Sequence, residues 1–192
     1  MKKAYLILSV LSVAALGLSV GCPDPAFNPP PGGGSVSQTI LDMEMATHHA
    51  INAERTTRFI SALTMDNTLR NVARAHSQDM IDRDFFDHMN PDGDNVGERL
   101  TAAGVRYSMA GENIAWNRGF ADPVAVAVDG WMDSTGHRAN ILRAEYTHTG
   151  IGIAVNSQNA YYFTQVFALP SKTLGPGYVE IYTYGPIAIE AW

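Results

Sequence analysis

Three short clusters in this 192-residue chain carry the residue types that could do chemistry. Phe85-Phe86-Asp87-His88 sets an imidazole beside an acid. Gly111-Glu112-Asn113-Ile114-Ala115-Trp116 holds one ionisable side chain in an otherwise apolar, glycine-led run. Ser134-Thr135-Gly136-His137-Arg138-Ala139-Asn140-Ile141 contributes a second imidazole. Brought together, His88, His137 and Glu112 would suit a borderline divalent cation such as zinc, whose ordinary ligands are neutral imidazole nitrogens and carboxylates. The same set could instead supply a general base and an oriented water. The sequence contains no HExxH, GxSxG, glycine-rich phosphate loop or cysteine–histidine deaminase motif, which removes the most familiar hydrolase and nucleotide chemistries.

The elements that must position these clusters read as helices followed by strands. Residues 38–58 have helical spacing, with Ile40, Met43, Ala50 and Ile51 on one side and Thr47 as the polar member of the stripe. A second helix starts near Asp66, a good N-cap, and aligns Leu69, Val72, Ala73, His76 and Met80 on one face. His76 on that face reads as a hydrogen-bonded core histidine rather than a ligand, and His48, His49 and His148 as solvated. Asn90-Pro91-Asp92-Gly93 has the composition of a tight turn, and Asp92-Gly93-Asp94 lacks the rest of a calcium loop. A further helix opens at Asp122-Pro123 and runs to Trp131. Residues 149–155 and 160–169 are two strands joined by Asn156-Ser157-Gln158-Asn159. Trp116, Trp131 and Phe167 read as core, Arg138 as a surface charge. The expectation is an α+β domain, helices around an antiparallel sheet.

The ends of the chain read differently. Lys2 and Lys3 precede an uncharged stretch through Gly21, the layout of a secretory signal over residues 1–21. Leu18-Ser19-Val20-Gly21-Cys22 is similar to a bacterial lipobox, which would make Cys22, the only cysteine, the lipidated first residue of the mature protein. Residues 22–37 are then the lipidated cysteine and a Pro/Gly-rich linker. Removing the two signal lysines leaves 11 basic and 19 acidic residues, a net charge of −8, which argues against a nucleic-acid partner. At the other end, residues 171–192 contain Val179-Glu180-Ile181-Tyr182-Thr183-Tyr184, alternating like a strand, broken by Gly185-Pro186.

Taken in order, Ile51-Asn52-Ala53-Glu54-Arg55, Phe86-Asp87-His88, Gly111-Glu112-Asn113-Ile114-Ala115 and Ser134-Thr135-Gly136-His137-Arg138 resemble the bacterial branch of the CAP superfamily, which unites cysteine-rich secretory, antigen 5 and pathogenesis-related 1 proteins. The likeness covers about residues 38–170. It implies a three-layer α-β-α sandwich with an antiparallel central sheet, and an extracytoplasmic location. It also implies a cleft in which His88 and His137 are the histidines of a metal-capable tetrad and Glu112 its GEN glutamate. The second glutamate's place is Ser134, with Asp133 beside it, so the tetrad is incomplete. Asn52 and Arg55 match the family's helix-one motif and read as buried structural hydrogen-bonding residues rather than substrate contacts, and Asn113 likewise reads as tying a loop to backbone groups.

Three functions are compatible with this reading. The first is a membrane-anchored binding or scaffold module whose cleft (His88, Glu112, Ser134, His137) could take a divalent metal such as zinc. The second is a lipid- or sterol-binding protein. The third is a metal-assisted hydrolase, a peptidase or cell-wall enzyme, with Glu112 as its catalytic base. The partners expected are the membrane, through a lipid on Cys22, and a lipid or cell-envelope ligand; inner and outer membrane are not distinguished.

Overall fold

The computed structural model describes residues 37–171, 180–185 and 187–190. The signal, Cys22 and linker expectations lie outside these residues. Helix α1 (Gln38–Thr56) begins where the Ser37 hydroxyl accepts from the Ile40 N–H. Its inward stripe is Ile40, Glu44, Thr47, Ile51 and Arg55, all buried, at spacings of three and four. Two members of that stripe are charged, which apolar periodicity alone does not anticipate. Arg55 is fully buried and donates to the carbonyls of Ser61, Ile141, Arg143 and Tyr146 at 2.7–3.1 Å. It thereby stitches the end of α1 to a segment some ninety residues later. Glu44 receives Arg70 Nε and Arg74 Nε, both at 2.8 Å, tying α1 to α2 (Asn67–Asp82). Asn52 clasps Leu63, accepting from its N–H at 2.7 Å and donating to its carbonyl at 3.0 Å. His48 also bonds the Leu63 carbonyl, so it belongs to this clasp rather than to solvent.

Helix α2 starts at its Asp66 cap and buries Leu69, Val72, Ala73, His76, Ser77 and Met80. Helix α3 (Val96–Ala102) opens with a capping box between Asn95 and Glu98. Helix α4 (Pro123–Asp133) has Asp122 as cap and proline in its first turn; α5 (Thr135–Ile141) follows after Ser134, whose backbone is extended.

The sheet comprises β1 (Thr64–Met65), β2 (Tyr107–Arg118), β3 (His148–Val155), β4 (Ala160–Pro170), β5 (Glu180–Thr183) and β6 (Ile187–Glu190). Its order is β1-β3-β4-β2-β5, with β6 also on β2. The centre, β3-β4-β2, is antiparallel as expected, but β1, β5 and β6 join in parallel, so the sheet is mixed. The reason is that the edge segments run beside their neighbours after longer connections, not hairpins.

Alternation along the strands separates two apolar layers. Ile151, Ile153, Phe163, Phe167 and Ala115 face α1, α4 and α5. Ala110, Val166 and Ala168 face α2 and α3. On β3 the residues facing α2 include Gly150 and Gly152, where a Cβ would collide with the α2 backbone at Leu69–Arg70 and Ala73–Arg74. The Gly-x-Gly spacing is thus what lets the helix lie directly on the sheet.

Two outcomes follow in urea unfolding. Gly152→Ala should cost about 1–3 kcal/mol, since helix backbone cannot yield as a side chain can. Arg55→Ala should cost about 3–5 kcal/mol, because it strands four carbonyls. Wild-type midpoints for either variant would contradict these contacts.

Candidate functional site

Glu112 lies on β2 with its side chain on the α2–α3 side, and it is fully buried. Both carboxylate oxygens are taken. Oε2 accepts from Arg99 Nη2 at 2.6 Å, and Oε1 accepts from His88 Nδ1 at 2.9 Å. His76 Nε2 stands 3.8 Å from the same Oε1 while donating to the Asp87 carbonyl at 3.0 Å. Arg99, held by the first turn of α3, also donates from Nη1 to the carbonyls of His88 and Asp94 at 2.9 and 2.8 Å. One guanidinium therefore grips the carboxylate and the loop that carries His88.

Burial alone would raise the Glu112 pKa, but the Arg99 charge, the His88 hydrogen bond and the His76 and His88 charges bring it down to about 2. Burial works against charge on His88 too. The hydrogen bond and charge of Glu112 and the Tyr184 carbonyl outweigh it, so its pKa lies above the ordinary imidazole value. The second ring nitrogen, Nε2, donates to that Tyr184 carbonyl. Acceptors face both of its nitrogens, an arrangement that favours the doubly protonated ring. His76 goes the other way, with burial dominating and its pKa lowered.

Asn113, the next residue on β2, points to the opposite layer and donates to the His137 carbonyl at 3.2 Å. Asn140 braces this side, donating to Asn113 Oδ1 at 3.0 Å and to the Tyr182 carbonyl at 3.3 Å. His137, 2% exposed, shares a 2.8 Å hydrogen bond between Nδ1 and Ser134 Oγ. Its Nε2 is buried without a well-formed hydrogen bond, although the Tyr184 and Gly185 backbone lies close. Burial and then the His88 charge push its pKa down to about 4, so it is neutral. His88 and His137 thus approach the edge of β2 that β5 and β6 cover, from opposite layers of the sandwich. Asp133 is exposed at the end of α4 and takes no part.

The sequence reading placed His88, Glu112, Ser134 and His137 in one cleft, and the fold assembles them as two pairs, His88–Glu112 and Ser134–His137. It missed Arg99, the cation that sets the state of Glu112, and the proximity of His76. The only signal for Arg99 was its place just after the Asn95–Glu98 capping box. In this arrangement both nitrogens of His88 face acceptors, and each oxygen of Glu112 already accepts one hydrogen bond. Among the described residues no group of three or more His, Cys, Asp or Glu side chains could hold a metal ion.

The family model for the cysteine-rich secretory protein family, CAP, matches residues 48–167. The chain belongs to this family. Over 118 residues it is 45% identical to the uncharacterized protein YkwD of Bacillus subtilis, covering 62% of this chain and 45% of that protein. It therefore spans less than half the length of this curated relative. Among solved structures it resembles an extracellular protein containing a SCP domain from Bacillus anthracis, at 28% identity and a TM-score of 0.58, covering 71% of this chain and 45% of that one. An outer surface protein from Borrelia burgdorferi shares the fold at 19% identity and a TM-score of 0.63, covering 72% of this chain and all of that one. The residues after 167 fall outside the family model.

The His137 environment makes a pH prediction. In the unfolded chain its pKa returns to near 6.5, so the unfolded state takes up a proton first on acidification. The cost to the fold is absent above pH 6.5 and grows as pH falls toward 4, where it levels off. Between those values Tm should drop, and His137→Gln should flatten that part of the profile. NMR of His137 should meanwhile report a neutral ring to below about pH 5. A ring titrating near its ordinary value would contradict its burial.

Proposed function

We propose that this chain is an extracytoplasmic lipoprotein that displays a CAP domain as a binding module. The observation that carries this reading is the state of Glu112. A carboxylate that is fully buried, held at a pKa of about 2 and hydrogen-bonded through both oxygens is a poor general base. Ser134, where the family's second glutamate would stand, is bonded to His137 rather than aimed at a substrate. What the arrangement supplies is a hydrogen-bonded cleft with His88 held between Glu112 and the Tyr184 carbonyl. Likeness to an extracellular SCP-domain protein and an outer surface protein supports placement outside the cytoplasm. The lipobox-like run ending at Cys22 supports an anchor in the membrane.

Two experiments test it. Cys22→Ser should move the protein from the membrane fraction to the soluble fraction; continued membrane association would overturn the lipid anchor. Wild type should show no turnover of casein or purified cell-wall sacculi. Turnover that Glu112→Gln abolishes would replace the binding reading with the hydrolase.

A second reading has its own observation. A shallow groove of about 480 Å³ runs between α1 and α4, with Met43, Ala46, Pro123, Val124 and Tyr161 in its wall. Thr39, Asp42 and Asp122 also line it, and its apolar stretch suits a single acyl chain. If lipid is the ligand, a fluorescent fatty acid should bind, and Val124→Asp should weaken it at least about tenfold. No binding by wild type would remove this reading.

A further inference from the structure

The residues beyond the family match are built into the cleft. β2 would otherwise be an edge strand on the side facing His88 and His137, with its backbone groups unpaired. β5 pairs with Met109–Glu112 and β6 with Ala115–Arg118. From Glu112 to Ala115 β2 advances three residues, while its partner advances four, from Thr183 to Ile187. The two registers differ by one residue, and Tyr184 lies at that offset, over the site. There Tyr184 turns its carbonyl onto His88 Nε2 and sets its ring against Gly136, 6.4 Å from the His137 ring.

The seat is shaped for this segment. A Cβ on Gly136 would run into the Tyr184 ring, and one on Gly97 into Ile181 and the Tyr107 hydroxyl. Neither glycine has a left-handed backbone, so conformation does not demand glycine there. The space each leaves is filled by a side chain of the C-terminal segment. Tyr182, between them, lies under Arg143, whose guanidinium carbon is 3.7 Å from the ring centroid. Main-chain pairing along an edge with specific seats for individual side chains is how sheet-edge grooves recognise extended peptides. The hold is also light. β5 and β6 are four residues each, Thr183 and Gly185 are exposed and Ile181 is 40% exposed. Such segments open at lower free energy than core strands.

We propose that the cleft is a groove for an extended, tyrosine-bearing peptide strand, and that β5, Tyr184 and β6 of the same chain are its resident, displaceable occupant. Seated, this strand caps His88 and covers His137; unseated, it leaves Nε2 of both rings open, as the metal reading would require. The inference deepens the reading of the cleft as a binding site.

The test uses the full chain and only this segment's own sequence as a probe, so its failure leaves that reading standing. Carbethoxylation of His137 is followed by mass spectrometry, with hydrogen exchange of the 180–190 amides. Wild type and Tyr184→Phe should both label slowly. Tyr184→Ala, an exposed-segment change that leaves the core intact, should raise both rates at least about tenfold. Gly136→Val should do the same by wedging the seat. A synthetic peptide of residues 178–190 should restore protection to Tyr184→Ala but not to Gly136→Val, whose seat is filled. Unchanged labelling in Tyr184→Ala, or no rescue by the peptide, would overturn the proposal. Wild-type protection that rises with protein concentration would place the strand of a second copy in the groove and overturn occupancy by the same chain.

Discussion

Everything at this site depends on one carboxylate held away from water. Glu112 could not stay ionised at the centre of the domain unless its charge were met, since burying a lone carboxylate is among the costliest events in folding. Arg99 and His88 meet it from two sides, and each is in turn constrained by the meeting. Arg99 holds the His88 loop through backbone carbonyls, and His88 keeps the proton that lets it bond the Tyr184 carbonyl. Breaking one link leaves a buried charge without its partner, a far larger loss than any single surface pair.

The same logic recurs across the domain. Glu44 between Arg70 and Arg74, and Arg55 among four carbonyls, are buried charges satisfied by specific partners. From residue 37 onward the chain has no cysteine, so no disulfide ties the helices to the sheet. These polar anchors take that tethering role. They tie α1 to α2 and to the loop after α5, while the two apolar layers supply the bulk of the burial. Buried hydrogen-bonded groups of this kind favour one packing over its near neighbours, because any shift leaves a donor or acceptor unmet.

The open edge of β2 is the second constraint, and it joins stability to function. An unpaired edge beside two imidazoles invites another strand. Here β5 and β6 cover it, and a one-residue offset between their registers leaves Tyr184 over the site. The recognition surface and the protection of the edge are thus one feature. That also explains why residues outside the family match bear on the family's cleft.

Much of this was legible in the sequence, because it rests on local chemistry. The Asp66 and Asp122 caps, the helical stripes and the alternation of residues 149–155 and 160–169 are short-range signals, and the structure follows them. The ordered motifs around Asn52, His88, Glu112 and His137 pointed to the CAP family, which residues 48–167 match. What sequence could not decide was charge state and partnership. Nothing near Glu112 in the chain foretells Arg99, thirteen residues earlier, or the carbonyl of Tyr184, ninety-six residues beyond His88. The alternation of residues 179–184 announced a strand but not its neighbour, so the expected antiparallel sheet became a mixed one. Residue type and periodicity determine which side chains can titrate and which face is buried. Only tertiary structure decides which charges meet, because a buried group's proton is set by what lies within a few ångströms, whatever the separation along the chain.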